Sequence, residues 1–294
     1  MTDDLDSRLV ALAQRLAGLG SVVVAFSGGV DSAFLLAAAV RELGPGAVLA
    51  ATSTSASLAE GEWEKAHAFA RGLGVEHLAV ATDEMTRDGY RANGADRCYH
   101  CKSALGDELA LVAAQRSIAH VATGTNADDV AQSHRPGLRA AAERLVVTPL
   151  ADAGLTKADV RAASLRWGLP TWDKPQAACL ASRVAYGVGV DPQRLARIDR
   201  AEQAVRAELL RQGATTRDVR VRDLGDRASV EFDSGLMARV QLPPLEAVVR
   251  EAGFPEAVVD ARGFRSGSLN EQLRPDELVP GHLARSSWDL PLVD

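Results

Sequence analysis

The sequence predicts an α/β protein: a doubly wound parallel sheet followed by a smaller C-terminal α+β domain. Over residues 1–175, short apolar runs typical of strands buried on both faces alternate with amphipathic helical segments. Strands that alternate with helices in this way form parallel sheets with right-handed crossovers. Beyond residue 176 the order changes to a long charged helix, two neighbouring strand-like runs, a helix and a last strand. That order is typical of a compact α+β unit.

The first domain, predicted at 1–175, opens with a helix that ends at Gly20. The helix is indicated by four leucines on one face, which are Leu5, Leu9, Leu12 and Leu16. The predicted strands are the apolar runs 21–27, 47–53, 76–82, 120–126 and 144–150. The predicted helices are 31–43, 60–74, 102–117 and 157–167. Thr156 followed by Asp159 is a weak capping box, so we expect the last of these helices to begin after Thr156.

The second domain is predicted at 176–270 and the irregular, proline-rich tail at 271–294. Its long helix covers 191–213, and the runs 218–225 and 227–233 alternate as antiparallel strands do. A helix at 244–253 and a last strand at 257–263 complete the unit.

Composition limits the classes of function. The net charge of −6, from 33 basic and 39 acidic residues, argues against a broad electrostatic grip on nucleic acid. No run of eighteen apolar residues predicts a membrane helix, and the acidic N-terminus lacks a signal-peptide core. We therefore expect a cytoplasmic protein that binds neither nucleic acid nor membrane. Three cysteines are too few, and odd in number, for a disulfide framework, which favours metal binding or catalysis.

The stretch "SGGVDS", residues 27–32, joins a predicted buried strand to a helix. Such a turn presents backbone N–H groups, serine hydroxyls and the positive end of a helix dipole, which suit a phosphate or pyrophosphate. The turn lacks the lysine of a Walker A loop and the glycine spacing of the dinucleotide fingerprint. A second polar turn, "GTNADD" at 124–129, follows another predicted strand, and ligands in parallel sheets bind at such strand ends.

The six residues of this turn resemble the PP-loop of the N-type ATP pyrophosphatases, which cleave ATP between the α and β phosphates. The resemblance implies an ATP site that carries Mg²⁺, because a bare carboxylate at position 31 would repel phosphates. The residues that it assigns to ATP are Ser27, Gly28, Gly29, Asp31 and Ser32 in the loop, Ser53 at the next strand end, and Gly124, Thr125 and Asp128.

A larger set of motifs narrows the resemblance. The chain carries "CYHCK" at 98–102, "GTNADD" at 124–129, "RPGLRAA" at 135–141, "ACLASR" at 178–183 and "FRSGSLNE" at 264–271. In this order they resemble the LarE family, pyridinium-3,5-biscarboxylic acid mononucleotide sulfurtransferases. The resemblance extends from residue 8 to about 271. It implies that each substrate carboxylate is adenylated by ATP and then converted to a thiocarboxylate during synthesis of the nickel-pincer nucleotide cofactor of lactate racemase.

The resemblance also implies roles for particular residues. Cys179 would handle sulfur, and Ser182 and Arg183 would contact the substrate. Arg220 and Arg222 match an R-x-R pair that holds the substrate phosphate, a task that suits the forked guanidinium group. Glu202 matches an acidic residue of the family near the active site. The strand at 227–233 itself offers an acidic partner, either Glu231 or Asp233.

The three cysteines, Cys98, Cys101 and Cys179, all fall in family motifs. The first hypothesis is that they hold a [4Fe–4S] cluster that carries a transferable sulfur, because a C-x-x-C pair and one distant thiolate can bind three corners of a cubane. The alternatives are sacrifice of the Cys179 sulfur, a Cys98–Cys101 redox pair that regenerates Cys179, and zinc on the same thiolates.

Two other functions remain open from the sequence. A tRNA thiolase shares the PP-loop, but it would be expected to carry a basic surface or an RNA-binding module. A nucleotide-binding regulator without catalysis is the third reading. The expected partners are the small nucleotide substrate and the other enzymes of nickel-pincer cofactor synthesis. Members of the LarE family tend to form hexamers, so the resemblance also implies a homo-oligomer.

Overall fold

A computed structural model describes residues 2–132, 134–175, 179–265 and 267–275. The predicted tail beyond 275 lies outside the described residues. The N-terminal half contains a four-stranded parallel sheet with the strand order β3-β2-β1-β4. Its strands are β1 (Val22–Ala25), β2 (Val48–Ser53), β3 (Glu76–Val80) and β4 (His120–Thr123). The predicted α/β class is therefore confirmed.

Helices lie on both faces of this sheet. The helices of this half are α1 (Thr2–Leu19), α2 (Val30–Leu43), α3 (Glu62–Gly72), α4 (Asp88–Arg91), α5 (Arg97–Gln115), α6 (Ala127–Val130), α7 (Pro136–Glu143), α8 (Pro149–Asp152) and α9 (Lys157–Arg166). One face of β1, with Val22 and Val24, packs in a core with side chains of α1, α2, α3 and α9. The alternate residue, Val23, packs with Leu109 and Ala113 of α5 on the other face. Burial on both faces explains why the strands read as unbroken apolar runs.

The predicted fifth strand at 144–150 is wrong. Only Val147 makes sheet contacts: its N–H donates to Val121, and its carbonyl accepts from Thr123. This single parallel bridge stands outside any strand. Leu145 has a positive φ of 55°, and Pro149, which has no N–H to donate, begins α8. Too few extended residues remain between these two positions to form a ladder.

The strand order has a switch point between β1 and β4. The chain runs outward from β1 through β2 to β3, then returns across the sheet to place β4 on the other side of β1. The loops after β1 and β4 therefore leave the same edge of the sheet in opposite directions. This is the position at which doubly wound folds bind ligands.

The C-terminal half is built on a three-stranded sheet. β5 (Val219–Asp223) and β6 (Ala228–Phe232) are antiparallel, as predicted, and β7 (Ala257–Val259) adds to β6 in parallel. Two helices, α10 (Pro192–Arg211) and α11 (Leu242–Glu251), pack on this sheet. The core beneath them also takes in Tyr90 from α4. The domain boundary at 175 stays a prediction.

Candidate active site

The loop after β1 has the form expected of a phosphate-binding turn. Gly28 has φ +69°, and a Cβ atom on it would stand 3.2 Å from the Cβ atom of Ala66, so the position favours glycine twice over. The Ser27 and Ser32 hydroxyl oxygens are 3.0 Å apart, and the Ser32 hydroxyl donates to the Gly29 carbonyl at 3.2 Å. The N-terminus of α2 follows at once, so its unpaired N–H groups face the loop.

The loop after β4 packs directly against this turn. A Cβ atom on Gly124 would lie 2.7 Å from the backbone nitrogen of Ser32, so only glycine allows the approach. Asn126 caps α6 and donates to Asp31 at 3.2 Å. The same Asp31 carboxylate forms an ion pair with Lys157, the first residue of α9. The two predicted ATP-site loops are therefore brought together, with Thr125 buried between them.

Two of the predicted ATP-site residues engage other partners. The Asp128 carboxylate accepts from the Lys157 N–H at 2.8 Å, which adds a cap to the start of α9 beyond the Thr156–Asp159 capping box. Ser53 ends β2, and its hydroxyl lies 2.7 Å from that of Thr82. Both contacts are structural and leave these residues at the edge of the loop cluster.

The Cys179 segment forms a tight turn in the C-terminal half. Cys179 precedes a 3-10 helix, Leu180–Arg183, and its carbonyl accepts from the Ser182 hydroxyl at 2.7 Å and from Arg183 at 3.1 Å. These two bonds fix the backbone directly beside the thiol, which is exposed.

Two buried arginine–glutamate pairs adjoin this turn. Arg183 donates to both oxygens of Glu202, at 2.9 and 3.3 Å, and the same carboxylate accepts from the Val221 N–H. Arg222 pairs with Glu231 at 3.0 Å and also donates to the Ser182 carbonyl at 3.0 Å. The paired carboxylates balance two charges that would be costly to bury alone.

Of the two predicted acidic partners on β6, Glu231 is the one that reaches the arginines. Asp233 instead accepts from the Gly235 N–H and caps a 3-10 helix, Ser234–Arg239. Arg220 lies on the same strand face as Arg222, and its ion pair with Asp218 is long, at 3.8 Å. Burial and the positive charge of Arg183 lower the pKa of Arg220 to about 10.

The three cysteines all carry free thiols, and Cys98 and Cys179 are exposed. Cys98 and Cys101 are the second and fifth residues of α5, which begins five residues earlier than predicted. Burial raises the pKa of Cys101 to about 12, and the negative charge of Cys179 and then of Cys98 adds to the effect. Within the part of the chain that the structure describes, no three histidine, cysteine, aspartate or glutamate side chains form a group that could hold a metal ion.

The sequence analysis did not identify two buried charged residues that interact with the cysteines. The first is Arg97. Arg97, which is 5% exposed, donates to Asn93 at 2.6 Å and to the Ala181 carbonyl at 2.9 Å. Burial opposes the charge on this guanidinium, but the Cys98 and Cys179 thiolates raise the pKa of Arg97. The signal was available, because Arg97 directly precedes the first cysteine of the motif.

Glu84 was missed as well. It is 1% exposed and contributes to the raised pKa of Cys101. Two buried charged side chains, Arg97 and Glu84, therefore interact electrostatically with the cysteines at the start of α5.

Known proteins match most of this chain. A protein of Lactiplantibacillus plantarum named pyridinium-3,5-bisthiocarboxylic acid mononucleotide synthase is 30% identical over 94% of this chain and 98% of its own. The chain belongs to the LarE family. An uncharacterised protein of Synechocystis is 38% identical over 92% of this chain and 99% of its own length. An uncharacterised protein of Methanocaldococcus jannaschii is 26% identical over 83% of this chain. No protein-family model matches the chain.

Membership of the LarE family confirms the family that the motifs indicated. The aligned stretch covers nearly all of both chains. It therefore includes both the half that contains the loop at 27–32 and the half that contains Arg220 and Arg222. The iron–sulfur type of the family stays a prediction, as do the roles of the individual residues. No described helix is long and apolar enough to cross a membrane.

Proposed function

We propose that this protein is an ATP-dependent sulfurtransferase that converts the carboxylates of pyridinium-3,5-biscarboxylic acid mononucleotide to thiocarboxylates. The observation that carries the proposal is the short connection between the PP-loop and the Cys179 turn. Lys174, five residues before Cys179, donates to the Gly28 carbonyl at 3.0 Å. Leu180, directly after Cys179, donates to the carbonyl of Ser57, four residues beyond β2. A nucleotide held by the loop would therefore lie close to a nucleophilic sulfur.

The first step is adenylation. A substrate carboxylate oxygen attacks the α-phosphorus of ATP, the bond to the β-phosphate oxygen breaks, and pyrophosphate leaves. The loop N–H groups and the hydroxyls of Ser27 and Ser32 would hold the departing pyrophosphate, which carries the developing charge. A Mg²⁺ ion that arrives with ATP would face the carboxylate of Asp31.

The second step replaces the AMP group by sulfur. A nucleophilic sulfur attacks the acyl carbon, the acyl–oxygen bond breaks, and AMP leaves with the electron pair of that bond on its phosphate oxygen. Arg220 and Arg222 lie on one strand face beside the Cys179 turn, and their guanidinium groups would grip the phosphate of the mononucleotide. Glu202 and Glu231 would keep Arg183 and Arg222 in position.

For the source of sulfur we propose a [4Fe–4S] cluster on Cys98, Cys101 and Cys179. The donors are of the right kind, because all three thiols are free and the charges of Cys179 and Cys98 oppose ionisation of Cys101; within the described residues the three side chains are not gathered into a metal-binding group, so the cluster would have to draw them together. Bound iron would relieve that repulsion. When bound, the cluster would supply a transferable sulfide at the iron that lacks a protein thiolate. The alternatives are sulfur from Cys179 itself, a Cys98–Cys101 redox pair, or bound zinc.

The test is a single-turnover reaction of anaerobically purified protein with ATP, Mg²⁺ and the biscarboxylic acid mononucleotide. We expect AMP, pyrophosphate and thiocarboxylate to form, iron and sulfide to be present, and Cys179 to keep its mass. Cys98→Ser is the informative variant, because a sacrificial Cys179 would still react once without it. A protein free of iron whose Cys179 becomes dehydroalanine would overturn the cluster, and absence of thiocarboxylate from every form would overturn the function.

A further inference from the structure

The PP-loop has no lysine of its own, yet two lysines from elsewhere in the chain contact it. We infer that Lys157 and Lys174 are the cationic residues that bind the pyrophosphate end of ATP. This inference rests on the proposed ATP-dependent function and assigns residues that the loop motif does not contain. The two side chains come from separate elements, 126 and 146 positions along the chain from their loop partners.

Lys157 opens α9, and its ammonium group contacts the Asp31 carboxylate. Asp31 lies in the first turn of α2, where the phosphates would approach. Without a counter-charge this carboxylate would repel a phosphate, because like charges a few ångströms apart oppose each other strongly near a protein surface. An ammonium group has three N–H donors and can contact the carboxylate and a phosphate oxygen together. Lys157 thus suits the bridging role for which the sequence suggested only a metal ion.

Lys174 contacts the loop at Gly28, three positions before Asp31. Its ammonium group donates to the Gly28 carbonyl at 3.0 Å and to Glu62 at 2.7 Å. Burial opposes ionisation of Glu62, but the hydrogen bond and charge of Lys174 lower the pKa of that carboxyl, so it is ionised at neutral pH. Two of the three N–H donors of Lys174 are accounted for by these bonds, which leaves one for a phosphate oxygen.

Both lysines can be reached from solvent. The Lys157 side chain is 37% exposed and that of Lys174 is 20% exposed, whereas the loop glycines between them carry no side chain that could block an incoming phosphate. A triphosphate bound at the loop would meet ammonium groups at two of its positions, beside Gly28 and beside Asp31, in addition to the loop N–H groups. Such an arrangement favours the most highly charged part of ATP over AMP.

The competing explanation is that Lys174 only forms a structural ion pair with Glu62. The chain offers a way to separate the two. Glu62→Gln breaks the ion pair but leaves the ammonium group beside Gly28. A structural role predicts that Glu62→Gln and Lys174→Gln have the same effect. Phosphate binding predicts opposite effects, since an unpaired ammonium group binds phosphate at least as well.

The experiment is calorimetric titration of the full-length protein, with Mg²⁺, using pyrophosphate, ATP and AMP. We expect Lys157→Gln and Lys174→Gln each to weaken pyrophosphate and ATP binding by roughly 10- to 100-fold, the value of a hydrogen bond to a charged group. AMP binding should change less than twofold. Lys65→Gln is the matched control: Lys65 also pairs with Glu62, at 3.0 Å, but it is 66% exposed and has no described contact with the loop. It should leave all three affinities unchanged.

Three results would overturn the inference. They are equal loss of AMP and pyrophosphate binding, parental pyrophosphate affinity in both lysine variants, or a loss in Glu62→Gln that matches Lys174→Gln. Lys174→Arg retains the charge and should recover part of the pyrophosphate affinity, which a folding defect would not allow. Failure of the proposed function would appear differently, as a parent protein that binds ATP but forms no thiocarboxylate, or that binds no ATP at all.

Discussion

Replacing Asn93 by alanine should lower the free energy of unfolding more than a substitution at any exposed position would. Asn93 is fully buried and has φ +55°, in the left-handed region that asparagine tolerates and alanine does not. Its amide nitrogen donates to the carbonyls of Ala185 and Val188 at 2.8 and 2.9 Å, and its oxygen accepts from Arg97. One side chain therefore joins the turn before α5 to the chain that follows Cys179.

The magnitude follows from these contacts. Loss of two short hydrogen bonds and of a partner for a buried guanidinium group costs about 1 kcal/mol each. The left-handed backbone adds roughly 1 kcal/mol for alanine. We expect the free energy of unfolding to fall by about 4 kcal/mol, a large part of the 5–15 kcal/mol typical of a folded protein.

Urea unfolding followed by circular dichroism measures this change. Asn270→Ala is the control, because Asn270 is exposed and its one described side-chain bond, from Tyr186, lies at the surface. It should change the free energy of unfolding by less than about 0.5 kcal/mol. Asn93→Gly, which relieves the backbone strain but not the lost bonds, should remain destabilised. A loss below about 1 kcal/mol in Asn93→Ala would refute the reasoning.

Three further predictions concern Asp31, Arg220 and His77. Asp31→Ala should slow pyrophosphate release at least a hundredfold in a coupled assay, because electrostatic positioning supplies a few kcal/mol; an unchanged rate would contradict the ATP-site assignment. Arg220→Gln should weaken mononucleotide binding but not ATP binding in calorimetry, and equal losses would count against it. Burial and His67 lower the pKa of His77 to about 4. The unfolded chain therefore binds the extra proton first, so stability should fall as pH drops from about 6.5 towards 4. His77→Phe should flatten that decline in pH-dependent urea unfolding.

The parts of the site that the sequence predicted are those encoded locally. "SGGVDS" lies between a buried strand and a helix, and its glycine with φ +69° and its serine pair behave as the motif requires. The Thr156–Asp159 capping box also formed as expected. Local patterns of this kind depend on neighbours within one turn of chain, so they can be inferred without knowledge of the fold.

The missed parts depend on long-range contacts. Lys157 and Lys174 reach the loop only because α9 and the chain after it fold back onto the sheet edge, and nothing in their own surroundings marks them. The segment at 144–150 misled for the opposite reason: its valines have strand propensity, but Pro149 ends the run after one bridging residue. Strand propensity favoured a ladder at 144–150, but the backbone at Leu145 and Pro149 left too few extended residues to form one.

The first helix connects the far end of the chain to the start of α9, and so to the proposed nucleotide site. Arg8 of α1 donates to Asp159 at 2.5 Å, and Asp159 is the residue that reciprocates the Thr156 cap immediately before Lys157. Deleting α1, or forcing it aside with a bulky fusion, would therefore loosen the start of α9 and with it the ammonium group on Asp31. Affinity tags for this protein are better attached at the other terminus, and nucleotide binding by a truncated form would under-report the intact enzyme.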